Sequence, residues 1–297
     1  MIKPISVCAV IVTFNRFSLL KECIEAVLNQ SHLPDKVIIV NNGSTDGTEA
    51  YLKSLNNHKI EIISQENTGG AGGFHTGIKK AYEQNYDWIW AMDDDVEPFI
   101  DCLEQLLKYT EISKCIHPLR INKDNNTVFN WEHYLDYRTC MPILHENVSL
   151  IDKDYCFVNT ACFEGMLIHR SVVTKIGFPK EEYFIAGDDT EYGILANLHT
   201  NIMYTKTAKM YRKASSTKLR PLQAYYEFRN VFLLRKTIKK HYPPGYSSMF
   251  YNSVFKNFRR KSRMIIVGKE YAFKEKINLI RRMLNGVIAG FKIYKNK

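Results

Sequence analysis

Three carboxylates stand side by side at Asp93-Asp94-Asp95, directly after an apolar run that carries Trp88 and Trp90. Adjacent carboxylates repel one another, and burying them unpaired is costly. A divalent cation relieves both problems. In an extended segment residues i and i+2 point the same way. Asp93 and Asp95 are therefore expected to share one ion, with Asp94 facing the other side. Hard oxygen donors suit Mg2+ or Mn2+, and such ions commonly bridge to phosphate oxygens. Taken alone, the triplet reads equally well as a solvated acidic turn.

Two other stretches carry possible chemistry. Asn67-Thr68-Gly69-Gly70-Ala71-Gly72-Gly73 reads as a glycine-rich loop ahead of a helix over Phe74–Glu83. Such a loop lets backbone approach a ligand, and the helix N-terminus favours an anion. It is neither a P-loop nor a clean G-x-G-x-x-G. Asp188 and Asp189 open a second acidic cluster, Gly187-Asp188-Asp189-Thr190-Glu191, at a helix start. A carboxylate there can act as a general base toward an acceptor hydroxyl. It can equally cap the helix, since acidic residues favour the first turn.

The elements that must position these groups follow from hydrophobic pattern. Continuous apolar runs at Ser6–Val12, Val37–Val40, Ile60–Ile63 and Trp88–Met92 read as buried strands. Helical spacing separates them, the first helix beginning at a Ser18 N-cap with Leu19, Leu20, Cys23, Ile24, Val27 and Leu28 on one face. Alternation of strand and helix predicts an α/β domain with a mostly parallel sheet. Ligands in such sheets gather at the carboxyl ends of the strands, and Asn15, Asn41 and Asp93 all fall just past strand ends. An irregular stretch over about 119–156, with Trp131, His133, Tyr134 and Tyr137, reads as an inserted hairpin with loops. Apolar sequence returns over Phe157–Arg170, with Gly165 inside it. After a boundary near residue 217 the chain reads as helical and basic, with helices expected over Leu222–Lys240, Phe250–Arg263 and Phe273–Tyr294.

Composition narrows the classes. The 297 residues are 45% hydrophobic and 12% aromatic, enough for a sizeable core and unlike a disordered chain. The formal charge of +10 is concentrated in the C-terminal part, which suggests an anionic partner or a solvated basic face. Seven cysteines show no C-x-x-C spacing, which argues against a disulfide framework or structural zinc and fits a reducing cytoplasm. No signal peptide and no spanning apolar stretch are read, so membrane contact is expected to be peripheral. In the last helix Ile277, Ile280, Leu284, Val287, Ile288 and Phe291 recur among Lys and Arg, as in an interfacial amphipathic helix or one docked on protein. No Ser-His-Asp pattern, H-E-x-x-H or RNA-recognition signature is present.

These residues together resemble the inverting glycosyltransferases of the GT-A fold, in the large family 2. Val12-Thr13-Phe14-Asn15-Arg16 resembles the family's first strand and turn, and Val40-Asn41-Asn42-Gly43-Ser44-Thr45-Asp46 its second. Glu66–Phe74, Trp90–Asp95, Phe184–Gly193 and Tyr225–Asn230 are similar to the galactofuranosyltransferase and rhamnosyltransferase branch. The resemblance covers roughly residues 5–215. It implies a catalytic domain over 1–217, with 218–297 as a helical extension for membrane-surface or dimer contact. By the same resemblance Asp93 and Asp95 hold Mn2+ or Mg2+ and the donor diphosphate. Thr13, Phe14, Asn15, Arg16 and Asn41 meet the nucleoside, while Asn67, Gly69, Gly70 and Asp94 line the donor site. Asp189 is the base, with Asp188 beside it. Relatives carry a metal-binding His after the last strand. Here the stretch reads Ala208-Lys209-Met210-Tyr211-Arg212-Lys213, and Arg212 is expected to meet the diphosphate as a fixed cation.

The resulting expectation is transfer of galactofuranose from UDP-galactofuranose, with inversion, to a hydroxyl of a lipid-linked surface glycan. The enzyme would work at the inner face of the cell membrane, without nucleic acid, and a homo-oligomer is compatible with this reading. A rhamnosyltransferase using dTDP-rhamnose and a non-catalytic nucleotide-sugar-binding protein are the alternatives.

Overall fold

A computed structural model describes residues 5–129, 134–143, 153–213, 218–242 and 247–295. The framework is a nine-stranded mixed sheet. Its strands are β1 (Val7–Thr13), β2 (Lys36–Asn41), β3 (Ile60–Ser64), β4 (Trp88–Asp93), β5 (Val96–Pro98), β6 (Cys115–Asn122), β9 (Tyr155–Val158), β10 (Met166–His169) and β11 (Ile202–Arg212). A separate hairpin pairs β7 (Tyr134–Asp136) with β8 (Met141–Ile143). The order across the main sheet is β3-β2-β1-β4-β10-β6-β11-β5, with β9 paired to β11. Strands β3, β2, β1 and β4 are mutually parallel, as are β6 and β11, whereas β10 enters antiparallel between β4 and β6.

The central strands are apolar on both faces because helices cover both faces. Val7, Ala9 and Ile11 of β1 face one core with Val37 and Ile39. That core is closed by helices α1 (Phe17–Leu28), α2 (Thr48–Ser54) and α4 (Cys102–Leu107). Cys8, Val10 and Val12 face the other core with Ile38 and Val40. There the cover is α3 (Gly69–Glu83), α5 (Arg170–Ile176) and α6 (Asp188–Ala196). Alternation along each strand thus feeds two cores rather than one core and solvent.

Helices α7 (Pro221–His241), α8 (Ser247–Val267) and α9 (Phe273–Lys295) follow. A third core joins Val231, Phe232, Leu234, Phe250 and Val254 to Leu135, Cys140, Tyr183 and Ile194 of the α/β layer. Close approach of α9 to α7 requires glycine. A Cβ on Gly286 would lie 2.2 Å from the Tyr225 carbonyl oxygen, and one on Gly290 2.4 Å from Phe232.

Several sequence expectations shift. The first helix begins at Phe17 with Arg16 at the N-cap, so Ser18 lies inside it. The inserted region keeps its hairpin, but β6 runs on to Asn122 and β9 returns to the main sheet at Tyr155. Trp131 and His133 lie outside the described residues. The glycine-rich stretch is not a loop. From Gly69 onward it forms the first turns of α3. Its glycines serve packing: a Cβ on Gly73 would lie 2.4 Å from Val12, and one on Gly77 2.3 Å from Val10. The helix consequently lies directly on β1, which side-chain periodicity could not register because glycine has no side chain.

Candidate active site

The carboxyl ends of β1 and β4 sit side by side, with Val12 registered against Asp93. Asp94 turns toward β1. Its Oδ2 accepts from Thr13 Oγ1 at 2.6 Å, and its Oδ1 from Arg16 Nη1 at 3.0 Å. The same Arg16 nitrogen donates to Asp95 Oδ2 at 2.7 Å. Asp95 Oδ1 is buried and has no hydrogen-bond partner. Arg16 is thus spent on the acid cluster.

The group missing from the sequence reading is Glu164. It precedes β10, and the antiparallel register of Met166 with Ala91 carries it to the carboxyl end of β4. Carboxylate oxygens of Asp93, Asp95 and Glu164 all lie within 4.8 Å of one another. An acid within an otherwise apolar run, Phe163-Glu164-Gly165-Met166, was the available signal. Gly165 makes the approach possible, with φ of 88° and no room for a Cβ between Met210 and Pro118. Glu164 is held by two arginines, Oε2 by Arg120 Nη1 at 2.7 Å and Oε1 by Arg212 Nε at 2.9 Å. Arg212 therefore supports a carboxylate of the cluster.

Electrostatics agree with a site built for a cation. Burial, then repulsion from Asp95 and Glu164, pushes Asp93 well above the usual carboxylate range. Burial raises Asp95, opposed by Arg16. Asp94 rises to about 6 through burial, again opposed by Arg16. Burial would raise Glu164 as well, but Arg120 and Arg212 hold it below its ordinary value. An unpartnered Asp95 oxygen amid hard oxygen donors fits Mg2+ or Mn2+.

A cavity of about 250 Å3 opens beside this cluster. Thr13, Phe14, Arg16, Asn67, Gly69, Gly70, Asp93 and Asp94 line it, as the sequence reading expects. A Cβ on Gly70 would meet nothing within 4 Å. Asn41 does not line it; its Nδ2 donates to Glu49 Oε2 at 2.6 Å, and Asn42 takes its place on the wall. Asn15, with φ of 53°, ties the adjacent turn by accepting from Thr45 N at 2.6 Å. Arg220, Leu222 and Gln223 at the start of α7 complete the lining, which the sequence reading missed.

A second cavity, of about 430 Å3, lies among α6, α7, α8 and the β7–β8 hairpin, with Asp189 on its wall. Asp188 is buried and does not line it. Asp189 Oδ1 accepts from Thr190 N at 2.6 Å, but the N-cap of the helix is Gly187, so no side chain caps it. Burial raises both carboxyls, Asp189 to about 6, and Asp188 is raised further by its neighbour. The two cavities share a wall. Phe184 and Ile185 face the first, Ala186 and Gly187 the second. Phe184, Ala186 and Gly187 have φ of 61°, 69° and 86°, a strained turn for the two that carry side chains.

The family model for glycosyl transferase family 2 matches residues 8–177. The chain belongs to glycosyl transferase family 2. It is 30% identical over 190 residues to the galactofuranosyltransferase GlfT1 of Mycolicibacterium smegmatis, covering 62% of this chain and 63% of that protein. The identity to GlfT1 of Mycobacterium tuberculosis H37Rv is 30% over 198 residues, covering 63% and 62%. The chain thus matches just under two thirds of the length of these curated relatives. Among crystal structures, S. aureus TarS 1–349 in complex with UDP-GlcNAc superposes with a TM-score of 0.58 at 15% identity, covering 95% of this chain and 82% of that one. GalNAc-T7 with UDP, GalNAc and Mn2+ gives a TM-score of 0.61 at 12% identity, covering 100% and 57%. At such identities the likeness concerns the fold, which is the GT-A fold that the resemblance implied. This family 2 glycosyltransferase therefore carries its acid cluster and Asp189 on two adjoining cavities of a GT-A framework.

Proposed function

We propose that the enzyme transfers galactofuranose from UDP-galactofuranose, with inversion, to a hydroxyl of a lipid-linked surface glycan at the inner face of the cell membrane. One observation carries the reading: Asp189 lines a cavity that shares the 184–187 turn with the cavity holding Asp93 and Asp94. A donor in one cavity and an acceptor in the other would meet at that turn. The choice of sugar rests on the similarity to GlfT1.

The nucleoside lies against Thr13, Phe14 and Asn42, and the diphosphate extends toward Asp93. Residues 1–217 serve as the catalytic domain, and 218–297 add walls to both cavities. Asp93, Asp95 and Glu164 would hold Mn2+ or Mg2+, which when bound supplies positive charge for the leaving diphosphate. Arg16 and Arg212 keep the cluster's carboxylates oriented. Asp189 takes the proton of the acceptor hydroxyl. The oxygen then forms its bond to the anomeric carbon as the carbon–oxygen bond to the β-phosphate breaks, and UDP leaves with that electron pair. Attack from the face opposite UDP inverts the configuration. Ionised Asp189 suits this role because a base works best with a pKa near the operating pH.

A screen of UDP- and dTDP-sugar hydrolysis, with and without Mn2+, tests the donor. Turnover of UDP-galactofuranose only with the metal is expected. Preference for dTDP-rhamnose would overturn the sugar assignment, and absence of turnover with any donor would overturn catalysis.

A further inference from the structure

Among the described residues, five of the seven most exposed large apolar side chains gather at one place, the turn from α8 to α9; Ile100 and Phe255 lie elsewhere. Val267 is 79% exposed, Phe273 77%, Met264 62%, Ile266 57% and Ile277 53%. Water contact on this scale is unfavourable for a surface with no covering partner, and contiguous apolar patches mark docking sites. The helices are not bare by default. On the protein-facing side of α9, Leu279 and Met283 are buried in a core with Ala224 and Phe228 of α7. The exposed set is thus a second, separate face.

Charge identifies what would cover it. From Tyr251 to the end there are thirteen Lys and Arg against two Glu, so this part accounts for essentially all of the chain's formal +10. Arg263, Lys269 and Lys274 are exposed around the apolar tip itself, beside the stretch's two acids, Glu270 and Glu275. A protein partner would need a matching acidic rim around an apolar patch. An anionic bilayer supplies both in one surface: headgroup charge outside and acyl chains beneath. A second copy of this chain would place like charges face to face.

The tip is also fixed relative to the cavities. Tyr271, in the turn, accepts a hydrogen bond at its hydroxyl from Leu219 N at 2.8 Å, immediately before α7. Arg220, Leu222 and Gln223 of that same stretch line the donor cavity, while Val254, Asn257 and Arg260 of α8 line the other.

We propose that the α8–α9 turn is a docking tip for an anionic lipid bilayer, with Ile266, Val267 and Phe273 entering the interface and the surrounding Lys and Arg meeting the headgroups. This deepens the peripheral-membrane reading above, on which it rests for its purpose. It brings both cavities to the membrane surface, where a lipid-linked acceptor presents its glycan.

Flotation of the full chain with phosphatidylcholine vesicles, with and without phosphatidylglycerol, tests this. Binding to the anionic vesicles alone is expected, weakening as salt rises. The triple variant Ile266→Ser, Val267→Ser, Phe273→Ser should bind at least about tenfold more weakly, since three apolar anchors are removed. Its circular dichroism and its hydrolysis of UDP-galactofuranose should match the wild type. Equal binding by the triple variant, or no binding by the wild type, overturns the proposal. So does a wild-type dimer in sedimentation that the triple variant dissolves. Loss of donor turnover in the wild type with vesicle binding intact would instead strike the catalytic reading.

Discussion

The side-chain amide of Asn230 donates to the Ala186 carbonyl oxygen at 2.7 Å, and the same Nδ2 lies 2.9 Å from the carbonyl oxygens of Tyr183 and Ile185. One buried residue of α7 thus holds the turn that separates the two cavities. The turn needs such a clamp because Phe184 and Ala186 sit at positive φ, where each non-glycine residue costs on the order of 1–3 kcal/mol. Stacking of Phe184 on Tyr226 at 5.0 Å adds a second hold from the same helix. Asn230→Asp should be worse than Asn230→Ala. It replaces a donor by an acceptor facing three carbonyl oxygens. Losses of roughly 1–3 kcal/mol for Ala are expected in denaturant unfolding, with a larger loss for Asp, and turnover should fall in both.

Glu164 gives a prediction on the metal. Glu164→Gln should weaken Mn2+ binding by at least about tenfold in calorimetry on the donor-free protein, the scale seen even for indirect partners of a metal. Arg212→Ala should weaken it less, because Arg120 still holds Glu164. Equal Mn2+ affinity in Glu164→Gln and wild type would remove Glu164 from the ligand set.

Asp189 links pH to both activity and stability. Its carboxyl is raised to about 6, first by burial, from an unfolded value of about 3.9. The native state therefore holds this proton more tightly than the unfolded chain does. The corresponding stability is present below about pH 4 and is lost as pH rises through about 6. Turnover should accordingly fall as pH drops through about 6. Asp189→Asn should lower turnover by at least about a hundredfold. The same variant should melt higher at neutral pH, by on the order of 2–4 °C per kcal/mol relieved, with the difference shrinking toward pH 4. Near-normal turnover in this variant would remove Asp189 as the base.

Adjacent glycines should behave oppositely. A Cβ on Gly69 would lie 1.9 Å from the Phe184 carbonyl oxygen at φ of 74°. Gly69→Ala should therefore destabilise by at least about 1–3 kcal/mol and disturb the shared turn. Gly70 faces open space in the cavity beside the acid cluster. Gly70→Ala should leave the melting temperature unchanged or slightly raised, since Ala is the better helix former by about 1 kcal/mol, while KM for the donor increases.

The sequence by itself determined the strand–helix alternation and the strand-end position of Asp93 to Asp95, because these depend only on local periodicity and chain direction. Asp94 and Asp95, expected to face opposite sides, instead lie in the turn after β4 and share one Arg16 nitrogen. The family resemblance also marked Thr13, Phe14, Asn67 and Gly70, which line the cavity beside the acid cluster. Only the tertiary structure decided that the third carboxylate is Glu164. That depends on β10 entering antiparallel beside β4, a pairing across more than seventy residues that no local pattern encodes. The same holds for Asn41, whose amide turns to Glu49 while Asn42 takes the wall, and for Asn230, a polar residue in a helix whose partners lie 44 to 47 residues away. The basic, apolar C-terminal sequence was legible as amphipathic. Which of its side chains pack on α7 and which meet solvent was settled by Gly286 and Gly290, which bring one face of α9 against that helix and leave Phe273 and Ile277 outside.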